Sequence, residues 1–342
     1  MNDSSDKDWP RNIERHWFVI ARSDAVQSKP ARIELFGRRW AVARGADGAV
    51  LAIEDRCPHR HAPLSQGTLT AEGLRCPYHG WTFARSGSCV RIPGWPAGDP
   101  SPDIRIPALA IAERDGLVWA AAQPVTDATL PRAIVNLDPA RRRFVWQTVW
   151  GAPILEALEN FLDALHTHLI HPGLVRRDSQ RVPATATLTR TDDGFTVDYH
   201  GGPKQSGILY RLFESPRISE RAIFSGPGVA QIEYRYANGS AVWITLCFTP
   251  QSMNATHVFT MLHVAGRWAP AWAVRLFVWP FLRRVAYQDK RILELQTETV
   301  RAFPPQRPLV TRLDLTRPYL EAWWGRGTST DLPQQRTARL ML

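Results

Sequence analysis

The sequence predicts an α+β protein: a small antiparallel all-β domain, then a larger domain in which a few helices pack on a second antiparallel sheet. Three observations carry that prediction. Turn dipeptides ending in glycine separate short β-rich runs near the start of the chain. Two stretches of good helix formers, 154–170 and 272–302, interrupt further strands in the remainder. The 342 residues suit two domains of roughly 150 residues each.

Residues 1–15 form a polar segment ahead of the first domain, which spans 16–123. His16-Trp-Phe-Val-Ile-Ala opens a strand. Residues 39–44 and 50–53 flank Asp47-Gly48, a hairpin signal because Gly takes positive φ at little cost. Asp115-Gly116 marks another hairpin, between 108–113 and 117–121. Residues 124–140, with Pro124, Pro131 and Pro139, read as a linker. The second domain, 141–342, opens with a strand at 144–150. The helix 154–170 follows, with Pro172 as its stop. Hairpin turns at Asp193-Gly194 and Asn238-Gly239, with strands at 241–248 and 256–264, build the sheet. After the helix 272–302, the chain beyond Pro304 carries little pattern.

Composition narrows the function. Hydrophobic residues make up 44% and charged residues 22%, enough for a packed core and unlike a disordered or fibrous chain. The net charge of +10 is scattered: the densest basic run is Arg141-Arg142-Arg143, so nucleic acid is not the expected partner. Four cysteines are too few for a disulfide scaffold. The N-terminus lacks the pattern of a signal peptide. The most apolar stretch, 268–287, is broken by Arg275, Pro280, Arg283 and Arg284, short of the roughly 20 apolar residues a membrane span needs. A reduced, cytoplasmic protein is expected.

The first domain holds Cys57-Pro-His59-Arg-His61 and, after 16 residues beyond His59, Cys76-Pro-Tyr-His79-Gly-Trp81. Two thiolates and two imidazoles could hold one tetrahedral zinc, or a Rieske [2Fe–2S] cluster with two Cys on one iron and two His on the other. Spacing and context favour the cluster: structural zinc usually substitutes for a missing core, and this β domain can build its own. Gly67, Gly73 and Gly80 would let backbone approach the sulfurs. His61 could ligate only by displacing His59. Cys89 and Cys247 read as buried packing residues.

In the second domain, Asn160, Asp163 and His166 are spaced three apart and share one helix face. His171 follows His166 by five positions, about 140° round a straight helix. The two can meet on one metal if the helix ends between them, and Pro172 disfavours α conformation at His171. His168 and His171, three apart, are the alternative pair. Two histidines and a carboxylate from elsewhere would make a 2-His-1-carboxylate site for non-haem iron.

These motifs resemble the Rieske non-haem iron oxygenases. C-P-H-R with C-P-Y-H-G-W resembles their cluster domain, and N-x-x-D-x-x-H-x-x-x-x-H, met at every position from Asn160 to His171, resembles their helix-grip catalytic domain. The likeness runs over roughly 16–302. It implies a [2Fe–2S] cluster on Cys57, His59, Cys76 and His79, with a potential near the low end of the Rieske range, roughly −150 mV. It implies a mononuclear ferrous iron on His166, His171 and Asp289, the last in Tyr287-Gln-Asp289, with Glu294 as competitor. Asn160 would lie near the iron. Asp163 would bridge His166 to His79 of a neighbouring subunit in a head-to-tail ring, usually a trimer, and so carry electrons between the centres.

The length resembles single-subunit-type aromatic O- and N-demethylases and monooxygenases, of the vanillate and dicamba kind. The implied activity is dioxygen-dependent hydroxylation or demethylation of a small aromatic or heterocyclic compound. A ring-dihydroxylating dioxygenase and a plain Rieske electron carrier are the alternatives. No G-x-G-x-x-G fingerprint is present, so NAD(P)H would act through a separate flavin reductase or ferredoxin. Arg56, Arg60, Arg75 and Arg85 offer that partner a basic surface. Strand alternation at 257–263 sets His257, Phe259, Met261 and His263 on one face, the expected pocket face. His168, His263 and Trp279 are the candidate substrate contacts.

Overall fold

A computed structural model describes residues 9–10, 13–123, 141–201, 215–266, 270–325 and 332–342. The predicted linker 124–140 and most of the segment 1–15 lie outside them. The chain divides into two compact units, Met1–Ala128 and Thr129–Leu342.

Among its described residues the first unit is all β apart from short 3-10 turns. Strands β1 (Phe18–Arg22), β9 (Ala110–Arg114) and β10 (Leu117–Ala121) form one antiparallel sheet; β2 (Ala31–Leu35), β3 (Arg38–Arg44) and β4 (Val50–Glu54) form a second. A third holds the short β5 (Thr68–Leu69), β6 (Leu74–Arg75), β7 (Thr82–Phe83) and β8 (Cys89–Arg91). Both predicted hairpins form, with Gly48 and Gly116 at positive φ. Ala41, Ile53, Leu64, Leu74 and Phe83 form one buried cluster that includes Cys57 and Cys76. Both thiols are therefore held within a hydrophobic core.

The second unit is an eight-stranded antiparallel sheet gripping helices. Its strands are β11 (Arg142–Trp150), β12 (Pro183–Thr191), β13 (Gly194–His200), β14 (Arg217–Ser225), β15 (Val229–Tyr236), β16 (Ala241–Ser252), β17 (Ala255–Ala265) and β18 (Gln335–Met341). Their spatial order is β11-β17-β16-β15-β14-β13-β12-β18. Among the described residues, no helix is long and apolar enough to cross a membrane.

Two expectations need correction. The helix 154–170 is two helices, α1 (Ile154–Leu162) and α2 (Thr167–Ile170). Between them Asp163 is extended, with φ −85° and ψ 124°. Its carboxylate accepts the amides of Leu165 at 2.8 Å and His166 at 3.1 Å. Such a local side-chain bond competes with the helix ladder and ends it. The segment after Pro304 also has structure: α4 (Arg317–Trp323) and the edge strand β18. Only Leu340 of β18 is buried, so a strand with one wet face and one free edge left little hydrophobic pattern to read. Ahead of α4, a π turn at Val274–Val278 runs directly into the long helix α3 (Trp279–Ala302), and Pro280, with no N–H to return to that turn, sits where the helix changes pitch.

Candidate metal centres

The two Cys–His loops of the first unit share one backbone design. Cys57 N donates to Ala62 O at 2.9 Å and His61 N donates back to Cys57 O at 2.8 Å. In the second loop Cys76 N donates to Trp81 O at 2.8 Å and Gly80 N to Cys76 O at 3.2 Å. The fifth residue of each loop has positive φ: His61 at 58° and Gly80 at 73°. His61 thus occupies a turning position and is exposed. Asp55 anchors the first loop from below. Its buried carboxylate accepts Ser65 N at 2.6 Å, Ser65 Oγ at 2.7 Å and Arg32 Nε at 2.8 Å.

The donors pair like with like. Cys57 and Cys76 are side-chain neighbours; burial foremost, then Cys76, pushes the Cys57 thiol up to about 11, against the pull of the His59 and Arg60 amides. The His59 and His79 rings lie 4.5 Å apart, and Trp81 stacks on His59 at 4.8 Å. His59 Nδ1 is buried with no hydrogen-bond partner. Thiols on one side, imidazoles on the other and amides aimed at sulfur fit a two-iron cluster better than a single ion. The amides reaching Cys57 are those of His59 and Arg60, and a Cβ on Gly67 would strike Arg75 O at 2.1 Å.

In the second unit His166, His171 and Asp289 converge, each offering a ligand atom within 4.8 Å of the others. Asp289 Oδ1 lies 2.9 Å from His171 Nε2 and 3.4 Å from His166 Nε2, yet makes no hydrogen bond of acceptable geometry. Two imidazoles and a carboxylate converging this closely suit a cation. His171 caps the C-terminal end of α2 with φ −116° and ψ 53°, the departure from helix that Pro172 demands. Gln288 Oε1 sits 3.0 Å from His171 Nδ1; accepting that proton leaves Nε2 free to ligate. Burial opposes a charge on His166, but the carboxylates of Asp163 and Asp289 outweigh it and raise its pKa to about 9. Asp163 Oδ2 is 3.6 Å from His166 Nδ1.

A mostly apolar cavity of about 110 Å³ opens beside this group, walled by Trp146, Trp150, Phe161, Ile244, Leu246 and Phe281 among others. The predicted substrate contacts are not among its described walls. His168 is buried, with Nδ1 3.3 Å from Leu165 O. On β17 the cavity takes Thr260, the opposite face from His263, and the neighbouring Leu262 packs with Leu282 of α3. Period-two alternation named two faces but could not say which one the helix covers. Trp279 stands behind the wall, its ring 4.6 Å from that of Trp146. Asn160 lines a separate cavity of about 480 Å³ on the far side of His166, together with Asp163. Glu294 pairs with Lys290 at 3.6 Å, away from the two histidines. Gln288 carried no sequence signal beyond its place beside Asp289.

A β domain bearing paired Cys–His loops, and a helix-gripped sheet bearing two histidines and an aspartate, define an oxidoreductase with two separate iron centres. Residues 16–107 match the Rieske [2Fe-2S] domain, and residues 150–317 match the vanillate O-demethylase oxygenase C-terminal domain. The chain is 33% identical over 276 residues to the aminopyrrolnitrin oxygenase of Pseudomonas fluorescens, covering 73% of this chain and 75% of that one. It is 31% identical to the methylxanthine N1-demethylase of Pseudomonas putida, over about half of each chain (50% and 49%). Its fold superposes on dicamba monooxygenase bound to dicamba with a TM-score of 0.74, over 90% of this chain and 95% of that one, at 22% identity. The chain belongs to the Rieske non-haem iron oxygenases, which carry a Rieske cluster and a mononuclear iron and act with dioxygen.

Proposed function

We propose that this chain is the terminal oxygenase of a Rieske monooxygenase system that hydroxylates or oxidatively O- or N-demethylates a small aromatic or heterocyclic compound. The observation that carries this is the His166–His171–Asp289 group opening on a cavity with aromatic walls. Residues 16–123 would hold the [2Fe–2S] cluster through Cys57, His59, Cys76 and His79. Residues 141–342 would hold ferrous iron through His166, His171 and Asp289, with 124–140 as linker. Bound there, the cluster supplies single electrons and the iron activates dioxygen toward the substrate.

The protein's own groups do the rest. Gln288 fixes the tautomer of His171, and the backbone bonds of Asp163 set the bend from which His166 projects. Trp146, Trp150 and Phe281 hold a single ring and keep water away from it. Asp163 is half-exposed on the face away from the substrate, where it can bridge to His79 of a neighbouring subunit in a trimer. A ferredoxin or flavin reductase fits the basic side of the cluster loops, where Arg60 and Arg75 are exposed. A cytoplasmic setting suits cysteines that form no disulfide.

The test is aerobic turnover of the iron-loaded protein with a generic ferredoxin and reductase on a panel of single-ring methoxyarenes and N-methyl heterocycles. We expect oxygen uptake matched by formaldehyde or hydroxylated product, from a red-brown protein. Uptake recovered only as peroxide across the panel, or a colourless protein after anaerobic iron–sulfide reconstitution, overturns the reading.

A further inference from the structure

The cavity beside His166, His171 and Asp289 has hydroxyls in its wall that the proposed function leaves unused. Apart from those three residues, no described wall residue is charged or carries an amide side chain. The wall hydroxyls belong to Thr148, Thr167, Tyr234 and Thr260. Thr167 is engaged, donating to Ala164 O at 2.7 Å. The Tyr234 ring lies against the Arg217 guanidinium at 4.1 Å. Thr148 stands half-buried on the edge strand β11. Thr260 is one strand further in, on β17, opposite Trp146 of β11 and Leu246 of β16, and only 3% exposed. Among the described residues its hydroxyl makes no hydrogen bond. Nor is that hydroxyl sealed: the sealed orphan atoms around the cavity are Trp150 Nε1, His166 Nδ1 and Asp289 Oδ1. The little surface that Thr260 keeps therefore includes its hydroxyl, and the space beside it is the cavity.

A buried hydroxyl is costly without a partner, and valine would fill the same volume beside Trp146 and Leu246 without that cost. We propose that Thr260 is the specificity-determining residue of this pocket, holding the hydrogen-bonding group of an uncharged aromatic or heterocyclic ring. A hydroxyl both donates and accepts, so it can hold a phenol, a carbonyl or a ring nitrogen. The described walls supply no cation for a carboxylate. Anchored at β17, the ring presents one chosen position to His166, His171 and Asp289. That last step rests on the oxygenase reading above; the free hydroxyl and the uncharged walls do not.

Trp146 and Trp150 line the pocket, so tryptophan fluorescence of the metal-loaded protein, kept anaerobic, reads equilibrium binding without turnover. The probes are anisole, the three methoxyphenol isomers, each anisole plus one hydroxyl, and 4-methoxybenzoate. In wild type at least one methoxyphenol should bind roughly 3- to 10-fold tighter than anisole, the range that one neutral hydrogen bond gives. 4-Methoxybenzoate should bind no tighter than anisole. Thr260→Val should erase the phenol preference while moving the anisole Kd by less than about twofold. Thr260→Ser keeps the hydroxyl and should keep most of the preference. If Thr260→Val does not fold, Thr260→Ala carries the same comparison. No preferred isomer in wild type, a preference that survives Thr260→Val, equal loss of every probe in that variant, or tightest binding of 4-methoxybenzoate overturns the assignment. A threonine that only holds a trapped water gives the first of these. Turnover is scored in parallel: selective binding without oxygen-dependent product faults the oxygenase reading alone, and product without selectivity faults the role of Thr260 alone.

Discussion

His171 and Gln288 show how much of this protein rests on single contacts. The imidazole has two nitrogens, and only one can face a metal in a given tautomer. Gln288 settles the choice from 3.0 Å away. Gln288→Leu removes the acceptor while keeping bulk, and iron affinity should fall roughly 10- to 100-fold, as for other outer partners of metal-bound histidines. Iron retained after graded chelation measures it, with the visible spectrum of the cluster unchanged as internal control. Asp163→Asn tests a different contact. Asparagine keeps one oxygen for the Leu165 amide but puts an NH2 where Oδ2 accepts the His166 amide; the remaining bond should hold the bend between α1 and α2, and both metals should load. Turnover should collapse if the carboxylate is the bridge between subunits. A rate near the parent's would sink that role.

At the scale of elements, α1, the helix that leads toward His166 and His171, is clamped rather than free. Arg317, at the start of α4, is 7% exposed and holds three carboxylates. It donates to Glu156 at 2.9 Å and Glu159 at 2.7 Å on α1, and to Glu321 at 2.8 Å on its own helix. Burial, more than anything else, raises the Glu159 pKa even with that partner present. Arg317→Ala should therefore cost about 3–5 kcal/mol, because it strands buried anions as well as losing a bond. The sign with pH follows. Without the guanidinium the folded-state carboxylate pKa values rise above the unfolded ones, so the variant loses stability as pH rises past about 4–5. The melting deficit relative to wild type should be smaller near pH 5 than near pH 8. No local pattern announces this clamp: α4 is short, and its partners lie 158 and 161 residues upstream. The break at Asp163 was readable only in hindsight, since an aspartate inside a good helix pattern is equally at home on a solvated face.

Over the whole molecule the charge of +10 has a more specific meaning than its size suggests. Two of the arginines near the cluster loops are already engaged, Arg56 with Glu54 at 3.1 Å and Arg85 with Asp47 at 2.7 Å. Arg60 and Arg75 are exposed beside the cluster motif. Docking of an acidic electron donor there should weaken as salt shortens the Debye length from about 10 Å toward 3 Å. Reductase-coupled turnover should then drop severalfold between about 0.1 and 1 M salt through the KM for the donor, while chemical reduction of the cluster stays constant. Salt-insensitive coupling would move the docking site elsewhere.

What the sequence determined by itself is local: the α+β class, the hairpins at Asp47-Gly48 and Asp115-Gly116, and two sets of chemically matched donors at telling intervals. Those follow from turn chemistry, periodicity and donor type, which neighbouring residues express without help. The tertiary structure alone decided that Thr260 and not His263 faces the cavity, and that Gln288 stands beside His171. The reason is physical. His171 and Gln288 are 117 positions apart, and which side chains meet over that distance depends on how α3 lies across the sheet, a choice made by packing of whole faces rather than by any residue's own preference.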